Sequence, residues 1–251
     1  MKVVKLYFSF FYIKPMRYTL LDESLYFPPV HYADEHGILA FGGDLSVERL
    51  LLAYQSGIFP WYSEEDPTIM WWAPDPRFVL YPTQLRVSKS MRQVLRKGLF
   101  EVTFDQRFKE VMIACQQIKR TGQQGTWITE DMLEGYCQLH AQGFAHSVEV
   151  WQQGQLVGGL YGVSLGHCFF GESMFSKASN ASKAGFITMV QKLQLLGIKL
   201  IDCQVYTQHL ESLGAEEIPR DEYMAQLKQH LQNPTHQGNW QTLLASLKDN
   251  S

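Results

Sequence analysis

Two polar residues, Asp202 and Gln204, interrupt an otherwise apolar stretch that runs from Leu200 to Val205. Alternate side chains of a β-strand point to opposite faces, so this stretch would place both polar groups on one face. A carboxylate and a carboxamide are costly to bury unless they have partners. The pair therefore predicts either a structural hydrogen bond or polar chemistry on a small substrate. In the second case the carboxylate would orient the amide, and the amide would contact the reacting group.

A third polar residue, Glu172, follows a glycine in the stretch from Gly171 to Ser176. Because this glycine allows the backbone to bend, we expect Glu172 at the end of a strand, where binding sites often form. If that strand neighbours the one with Asp202, the pocket would be anionic and would favour an amine, a lysine or an arginine. A solvated loop carboxylate is the alternative.

Soft apolar side chains that could line such a pocket occur around these motifs. The set comprises Leu160, Phe169, Met174, Phe186, Met189, Leu193 and Ile201. Three of them, from Phe186 to Leu193, follow i, i+3 and i+7 spacing and would share one helix face. Ordinary core packing explains this pattern, but methionine and phenylalanine also suit an adaptable pocket for an apolar side chain.

Tryptophans occur in irregular, loop-like stretches. Trp61 follows a proline, and Trp127 follows a glycine-containing loop at 122–125. These indoles could serve ordinary packing. They could also stack a nucleobase, an interaction of roughly 1–3 kcal/mol per base.

A stretch of a single charge sign follows the first tryptophans. No acidic residue occurs between Arg77 and Glu101, although the formal net charge of the chain is -3. The basic residues of this stretch are Arg86, Lys89, Arg92, Arg96 and Lys97. Three of them fall at i, i+3 and i+7 on a predicted helix. A solvated face is one interpretation, but an unbroken basic stripe favours phosphate contacts. Lys183, at the start of a later helix, could add an anion contact.

The elements that must position these groups can be predicted from caps, turns and periodicity. Ser46 and Gly57 bound one helix, and glycines at 154 and 166 mark two turns of an antiparallel meander. Further helices are predicted at 88–97, 105–118, 130–142 and 182–196, and strands at 101–104, 147–151, 156–163, 167–170 and 200–205. Dense proline and aromatic residues near 58–77 fit neither a helix nor a regular strand. This order of elements is that of an acetyltransferase-like α+β domain, which by itself carries no function.

Composition and cysteine usage exclude several classes of protein. Hydrophobic content of 45% in 251 residues is ordinary for a globular chain with a substantial core. Four scattered cysteines without a CxxC pair fit a reducing cytoplasm. Cys137 and His140 have metal-like spacing but lack a second pair, so no metal site is predicted. The apolar segment at 3–13 is too short to span a bilayer and lacks a cleavage site, so we expect a soluble, cytoplasmic protein.

Several motifs in one order resemble those of the bacterial leucyl/phenylalanyl-tRNA–protein transferases. The matching stretches are GGDLS at 42–46, GIFPW at 57–61, WWAPDPR at 71–77, GTWIT at 125–129, GESMFS at 171–176 and IDCQ at 201–204. The similarity runs from about Phe27 to Leu231. The resemblance implies an extension at 1–26, a small N-terminal domain at 27–75 and an α+β, GNAT-like mixed-sheet domain at 76–251.

The resemblance also implies an activity. Leucine or phenylalanine, and less readily methionine, would move from tRNA to the α-amino group of a protein that begins with arginine or lysine. The product would be marked for degradation by the N-end rule pathway. No cofactor would be needed, and we expect a monomer without membrane contact.

Site residues follow from the same resemblance. Asp202 and Gln204 would be the catalytic pair, Glu172 would help to hold the acceptor, and Trp61 and Trp127 would flank the terminal adenosine. The apolar set would hold the transferred side chain, and the basic residues would bind the tRNA. Whether Asp202 polarises Gln204 to remove a proton, or the pair only positions the amine, stays open.

Two functions of other classes are alternatives. A coenzyme A-dependent N-acetyltransferase normally cradles pyrophosphate in a glycine-rich turn, but the corresponding stretch at 176–183 contains no glycine. A non-catalytic RNA-binding module would explain the basic helix but not the three polar residues Glu172, Asp202 and Gln204.

Overall fold

The computed structural model describes residues 18–63, 65–66, 68–118 and 128–246. A small sheet contains β1 (Thr19–Leu21), β2 (Ile38–Gly42), β3 (Phe59–Pro60) and β4 (Met70–Trp72). Its strand order is β1-β2-β4-β3, and only the β1–β2 pair among these described strands is parallel. Helix α1 (Val47–Gln55) connects β2 to β3. The predicted cap is confirmed, because the Ser46 side chain accepts a hydrogen bond from the backbone of Arg49.

A large sheet of seven strands carries the rest of the described chain. The strands are β5 (Arg77–Leu80), β6 (Glu101–Phe104), β7 (Ala145–Gln152), β8 (Gln155–Leu165), β9 (Cys168–Ser176), β10 (Leu200–Gln204) and β11 (Glu216–Ile218). Their order is β11-β5-β10-β9-β8-β7-β6. Strands β9 and β10 pair in parallel, and the other described pairs of this sheet are antiparallel. The predicted α+β class with a mixed sheet is confirmed.

In the part of the chain that the structure describes, seven further helices pack around this sheet. They are α2 (Lys89–Arg96), α3 (Phe108–Gln117), α4 (Glu130–Ala141), α5 (Ala181–Leu195), α6 (Gln208–Glu211), α7 (Arg220–His230) and α8 (Trp240–Ser246). Short 3-10 turns occur at Val30–Tyr32 and Pro82–Gln84. Within the described ranges, no helix is long and apolar enough to cross a membrane.

The core lies on both faces of the large sheet. Consecutive residues of β9 show this, since Phe170 packs with α1, α3 and α4 whereas Phe169 packs with α5 and α8. The first of these clusters also contains Trp71 from the small sheet, so both sheets share one apolar core. This shared core fixes α1 against the strands that carry the polar motifs.

Three sequence expectations about elements were wrong. The helix expected from residue 105 begins at Phe108, because Asp105 has a φ of 54° and its carboxylate accepts backbone N–H groups of Ser147 and Trp240. The aromatic stretches at 58–77 contain the short strands β3 and β4 and end at the first residue of β5, instead of being irregular throughout. Glu172 lies within β9, not at its end.

Candidate active site

A cavity of about 610 Å³ opens along β9 and β10, and the three polar motif residues line it. Five of the seven apolar residues proposed for a side-chain pocket also line it: Leu160, Phe169, Met174, Phe186 and Ile201. The other two, Met189 and Leu193, are fully buried and do not reach its wall, which corrects their assignment. An α-helix rises about 1.5 Å per residue, so one face of α5 extends well beyond the cavity, and of these three apolar residues only Phe186 lines it.

Asp202 lies on β10, beside Phe170 of the parallel neighbour β9. Its carboxylate is fully buried and accepts two hydrogen bonds from one guanidinium, from Arg77 Nε at 2.8 Å and Nη2 at 2.6 Å. The Tyr223 hydroxyl donates a third bond at 2.8 Å. Bidentate arginine–carboxylate pairs have strong directional bonds, so Asp202 is held as a charge-compensated group.

Two aromatic rings enclose the cation of this ion pair. The Arg77 Cζ lies 4.7 Å from the ring centroid of Phe59 and 4.7 Å from that of Tyr223. Arg77 is buried, and its Nη1 also donates to the carbonyl of Gly57 at 3.2 Å. Burial opposes the charge of Arg77, but Asp202 and Tyr223 raise the pKa of its guanidinium above the ordinary value. The cation therefore neutralises part of the predicted anionic pocket, which corrects that expectation.

Gln204 ends β10 in an unusual backbone conformation. Its φ is 64°, and the pairing register with β5 shifts between Asp202 and Gln204. The Asp202 Oδ1 accepts the backbone N–H of Gln204 at 2.8 Å. A left-handed conformation is strained for a residue with a side chain, so this hydrogen bond helps to hold it. Asp202 thus fixes the backbone of Gln204 and does not orient its amide, contrary to the sequence expectation.

The amide of Gln204 is oriented by Glu172 instead. Gln204 Nε2 donates to Glu172 Oε1 at 2.7 Å, the assignment of oxygen and nitrogen that a carboxylate partner requires. Gln204 lines the cavity, and among the described residues no group donates a hydrogen bond to its Oε1. The structure therefore leaves a carbonyl oxygen, a hydrogen-bond acceptor, for a molecule in the cavity.

Two tyrosines complete the surroundings of Glu172. The hydroxyl of Tyr54 donates to Oε1 at 2.8 Å and that of Tyr136 to Oε2 at 2.9 Å, and the two hydroxyls also contact each other. Burial raises the pKa of Glu172 to about 7, against the hydrogen bonds from both tyrosines and Gln204, which lower it. Burial and the adjacent carboxylate raise the pKa of both phenols well above the ordinary value. The phenols are therefore neutral donors.

Of the two tryptophans, the structure describes Trp61. It is half-buried, lines the cavity and lies 5.2 Å from Trp72 between ring centroids, at an angle of 49°. Trp72 Nε1 donates to the carbonyl of Trp61 at 2.6 Å and holds this segment. Trp127 lies outside the described residues, so stacking between two indoles stays a prediction.

The basic residues lie on and beside helix α2. The predicted helix is confirmed, and the five basic side chains on it and beside it are exposed: Arg86, Lys89, Arg92, Arg96 and Lys97. None of the five forms an ion pair within the described ranges. Lys183 lies apart from them, in the first turn of α5, next to Ser182 of the cavity wall. Burial, and then the charge of Lys183, lower the pKa of His209, which also lines the cavity.

Sequence reasoning missed four residues of the site. Arg77 ends one of the motifs but was given no role, and Tyr54 lies in the helix predicted between Ser46 and Gly57 without a role of its own. Tyr136 and Tyr223 gave no signal, because a single tyrosine on a helix is most often part of the core. An arginine inside a strand of buried residues was the one available hint, since an arginine is almost never fully buried unless it is paired.

Comparisons with known proteins agree with the motifs. The family model "Leucyl/phenylalanyl-tRNA protein transferase" matches residues 79–228, and the model of that family's N-terminal domain matches residues 43–75. A leucyl/phenylalanyl-tRNA–protein transferase of Flavobacterium johnsoniae is 62% identical over 208 residues, 83% of this chain and 98% of that protein. One of Syntrophus aciditrophicus is 58% identical over 222 residues, 88% and 92% of the two chains.

A solved structure, a GCN5-related N-acetyltransferase from Kribbella flavida, aligns over 68% of this chain and 57% of its own. Its identity is 10% and the TM-score is 0.33, too low to support an argument.

Proposed function

The chain belongs to the leucyl/phenylalanyl-tRNA–protein transferase family, and on this premise we propose its acceptor and the roles of its residues. The family activity is transfer of an aminoacyl group from tRNA to a protein. The acceptor we propose is the α-amino group of a protein that begins with arginine or lysine. Leucine and phenylalanine are the preferred groups and methionine a poorer one, and the product enters the N-end rule pathway of degradation.

The reaction needs an exchange of one bond and one proton. The acceptor nitrogen forms a C–N bond to the ester carbonyl carbon, and the C–O bond to the ribose of the tRNA breaks. The nitrogen loses one proton and the ribose oxygen gains one. An ester is already activated, so positioning of a neutral amine supplies much of the rate.

The carbonyl oxygen of Gln204 is the observation that carries this proposal. With Nε2 bound to Glu172, the amide turns its oxygen away from Glu172, and this oxygen is the acceptor that Gln204 offers to the cavity. That oxygen accepts an N–H of the incoming amine and directs the nitrogen lone pair towards the ester. Asp202 acts one step further away, through the backbone of Gln204. These contacts favour positioning over proton removal by Asp202, which is already paired with Arg77.

Glu172 is the proposed contact for the positive charge of the acceptor. A carboxylate offers about four acceptor sites, and three are taken by Tyr54, Tyr136 and Gln204. One site remains for an ammonium or guanidinium group. The five apolar wall residues supply the surface for a leucyl or phenylalanyl side chain, and Trp61 with Trp127 would flank the terminal adenosine.

The tRNA body would lie along α2. Exposed, unpaired cations on one helix suit contacts with phosphates, and Lys183 beside the cavity suits a phosphate nearer the 3′ end. Coenzyme A has no place in this proposal, and neither a metal nor another cofactor takes part. Both substrates, charged tRNA and newly exposed protein termini, occur in the cytoplasm, where we expect a monomer to act.

A transfer assay with matched acceptors tests the proposal. The protein is mixed with tRNA carrying radiolabelled leucine or phenylalanine and with peptides that differ only in the first residue: arginine, lysine or glutamate. Transfer to the first two is expected, with none to the glutamate peptide or to an acetylated arginine peptide. Equal transfer to all free amines would contradict the proposed acceptor, and absence of any transfer would contradict the activity.

Charge reversal on α2 tests the tRNA surface. Arg92→Glu combined with Arg96→Glu should weaken binding of leucyl- and phenylalanyl-tRNA alike and flatten the salt dependence by about one unit per lost phosphate contact. The matched control is Lys109→Glu on α3, an exposed lysine away from this surface. A loss confined to one tRNA would indicate base recognition instead.

A further inference from the structure

Glu172 is held by two tyrosine hydroxyls, whereas the other buried carboxylate of the site, Asp202, is held by an arginine. Tyr54 comes from α1 and Tyr136 from α4, and both rings are buried. Their hydroxyls reach different oxygens of the same carboxylate, at 2.8 and 2.9 Å, and contact each other. Gln204 Nε2 shares Oε1 with Tyr54. Every observed donor to Glu172 is therefore electrically neutral.

Among the described residues, the charged and titratable groups around Glu172 provide no free cation to pair with it. They are Tyr54 on α1, Tyr136 on α4, Tyr161 on β8, whose ring lies 5.6 Å from that of Tyr136, and Asp202 on β10 with Arg77 on β5. The single cation of this group is bound to Asp202 in bidentate geometry. No arginine, lysine or histidine of the described ranges forms an ion pair with Glu172.

We propose that Tyr54 and Tyr136 are positioning residues for aminoacyl transfer, which keep Glu172 as the anion that orients the amide of Gln204. This inference rests on the proposed function, in which the Gln204 amide oxygen accepts a hydrogen bond from the acceptor amine. The tyrosines do not touch the substrates; they act through Glu172 and Gln204.

Protonation of Glu172 would remove this orientation. An ionised carboxylate only accepts hydrogen bonds, so the Gln204 amide must turn its Nε2 towards Glu172 and its oxygen towards the cavity. A carboxylic acid carries an O–H donor, and the same amide can then turn its oxygen inward. The amine would face an N–H group, which cannot accept its hydrogen. Charge-assisted bonds are about twice as strong as neutral ones, so the ionised form also holds the amide more firmly.

The phenols decide at which pH this change occurs. Burial raises the pKa of Glu172 to about 7, and each tyrosine hydrogen bond opposes that rise. Loss of one phenol should therefore raise the pKa of Glu172 further, by about one unit for a hydrogen bond of ordinary strength. The acid limb of the transfer rate should move to higher pH by the same amount.

Single-turnover transfer to one arginine-initiated peptide tests this from about pH 5.5 to 8.5, corrected for uncatalysed ester hydrolysis. The variants are Tyr54→Phe, Tyr136→Phe and the double variant. We expect the acid limb to shift upwards by about one unit in each single variant and further in the double one, with rates that approach wild type at high pH. The acceptor amine titrates identically in every reaction, so a difference between variants belongs to the enzyme.

Two control variants separate this role from general damage. Tyr81→Phe removes a phenol that accepts a hydrogen bond from Gln226 Nε2 at 2.8 Å outside the cavity, and its rate and profile should equal wild type. Tyr223→Phe removes a phenol from the other carboxylate, Asp202, and should change the rate without moving the acid limb. Parallel profiles for Tyr54→Phe, Tyr136→Phe and wild type would overturn the proposal.

A direct titration covers the case in which a tyrosine variant fails to fold. The carboxyl absorption of Glu172 is obtained by infrared difference between wild type and Glu172→Gln across the same pH range. A midpoint near neutral pH supports the proposal, and a midpoint below about pH 5, the range of an ordinary glutamate, overturns it. Failure of wild type to transfer at any pH would instead contradict the proposed function itself.

Discussion

Two buried carboxylates on neighbouring parallel strands have opposite surroundings. Asp202 on β10 binds a guanidinium in bidentate geometry, with Arg77 enclosed between two aromatic rings. Glu172 on β9 binds neutral donors, two tyrosines and an amide, and no charged donor among the described residues. Asp202 is therefore part of an ion pair, whereas Glu172 has no counter-ion among the described residues, and burial raises the pKa of Glu172 to about 7.

The difference teaches that proximity in a site does not make two acids equivalent. A nearby cation stabilises the ionised form of a carboxylate. A carboxylate with neutral donors lacks this stabilisation, so burial favours its protonated form. Asp202 therefore suits a structural role, in which it holds the strained backbone of Gln204. Glu172 suits a task that depends on protonation, the orientation of the Gln204 side chain.

The largest expected effect comes from breaking the ion pair. Asp202→Asn leaves the buried guanidinium of Arg77 without its counter-charge, so it should lower the free energy of unfolding by about 3–5 kcal/mol. Arg77→Gln should cost a similar amount because it leaves the Asp202 carboxylate alone. Urea denaturation measures both values, and the double variant should lose much less than their sum. Losses of unfolding free energy below about 0.5 kcal/mol, the range of surface substitutions, would contradict a stabilising role for the ion pair.

An intermediate effect is expected for Glu172→Gln, and it depends on pH. The folded-state pKa of Glu172, about 7, lies above the 4.5 of an unperturbed glutamate. Its stabilising contribution is therefore complete below pH 4.5 and is lost as pH rises through 7. Relative to wild type, the variant should gain on the order of 1–3 kcal/mol of unfolding free energy across this interval.

Denaturation of both proteins at several pH values provides the measurement. A constant difference between wild type and Glu172→Gln would contradict the contrast between the two acids.

The smallest expected effect is a change of about 1 kcal/mol with pH in the cost of removing one phenol, compared between the two carboxylates. At alkaline pH both Tyr54→Phe and Tyr223→Phe remove a hydrogen bond to an anion, and each should cost roughly 1.5–3 kcal/mol. Near pH 5 Glu172 is neutral, so the cost of Tyr54→Phe should fall by about 1 kcal/mol. Tyr223 donates to a carboxylate that Arg77 already compensates, so its cost should stay constant. Thermal or urea unfolding at both pH values tests this, and identical trends would contradict it.

Local signals in the sequence determined much of the architecture. Ser46 and Ser88 cap the helices that were predicted to follow them, and both caps depend on residues three positions apart. The meander was also predicted correctly, since alternation and turns are short-range patterns. The three polar residues singled out from the sequence line one cavity, and their roles stay predictions. The sequence analysis stated only as a condition that Glu172 and Asp202 lie on neighbouring strands, and the parallel pairing of β9 and β10 meets that condition.

Only the tertiary structure decided which partner each polar group has. Arg77 and Asp202 are 125 residues apart in sequence, and Tyr54 and Glu172 are 118 apart. Which acid receives the cation depends on the register of β5 against β10 and on its shift at Gln204. Which acid receives the phenols depends on how α1 and α4 pack on β9. Caps and periodicity concern residues a few positions apart, whereas register and helix packing are set by the whole core, so composition and spacing could not assign these contacts.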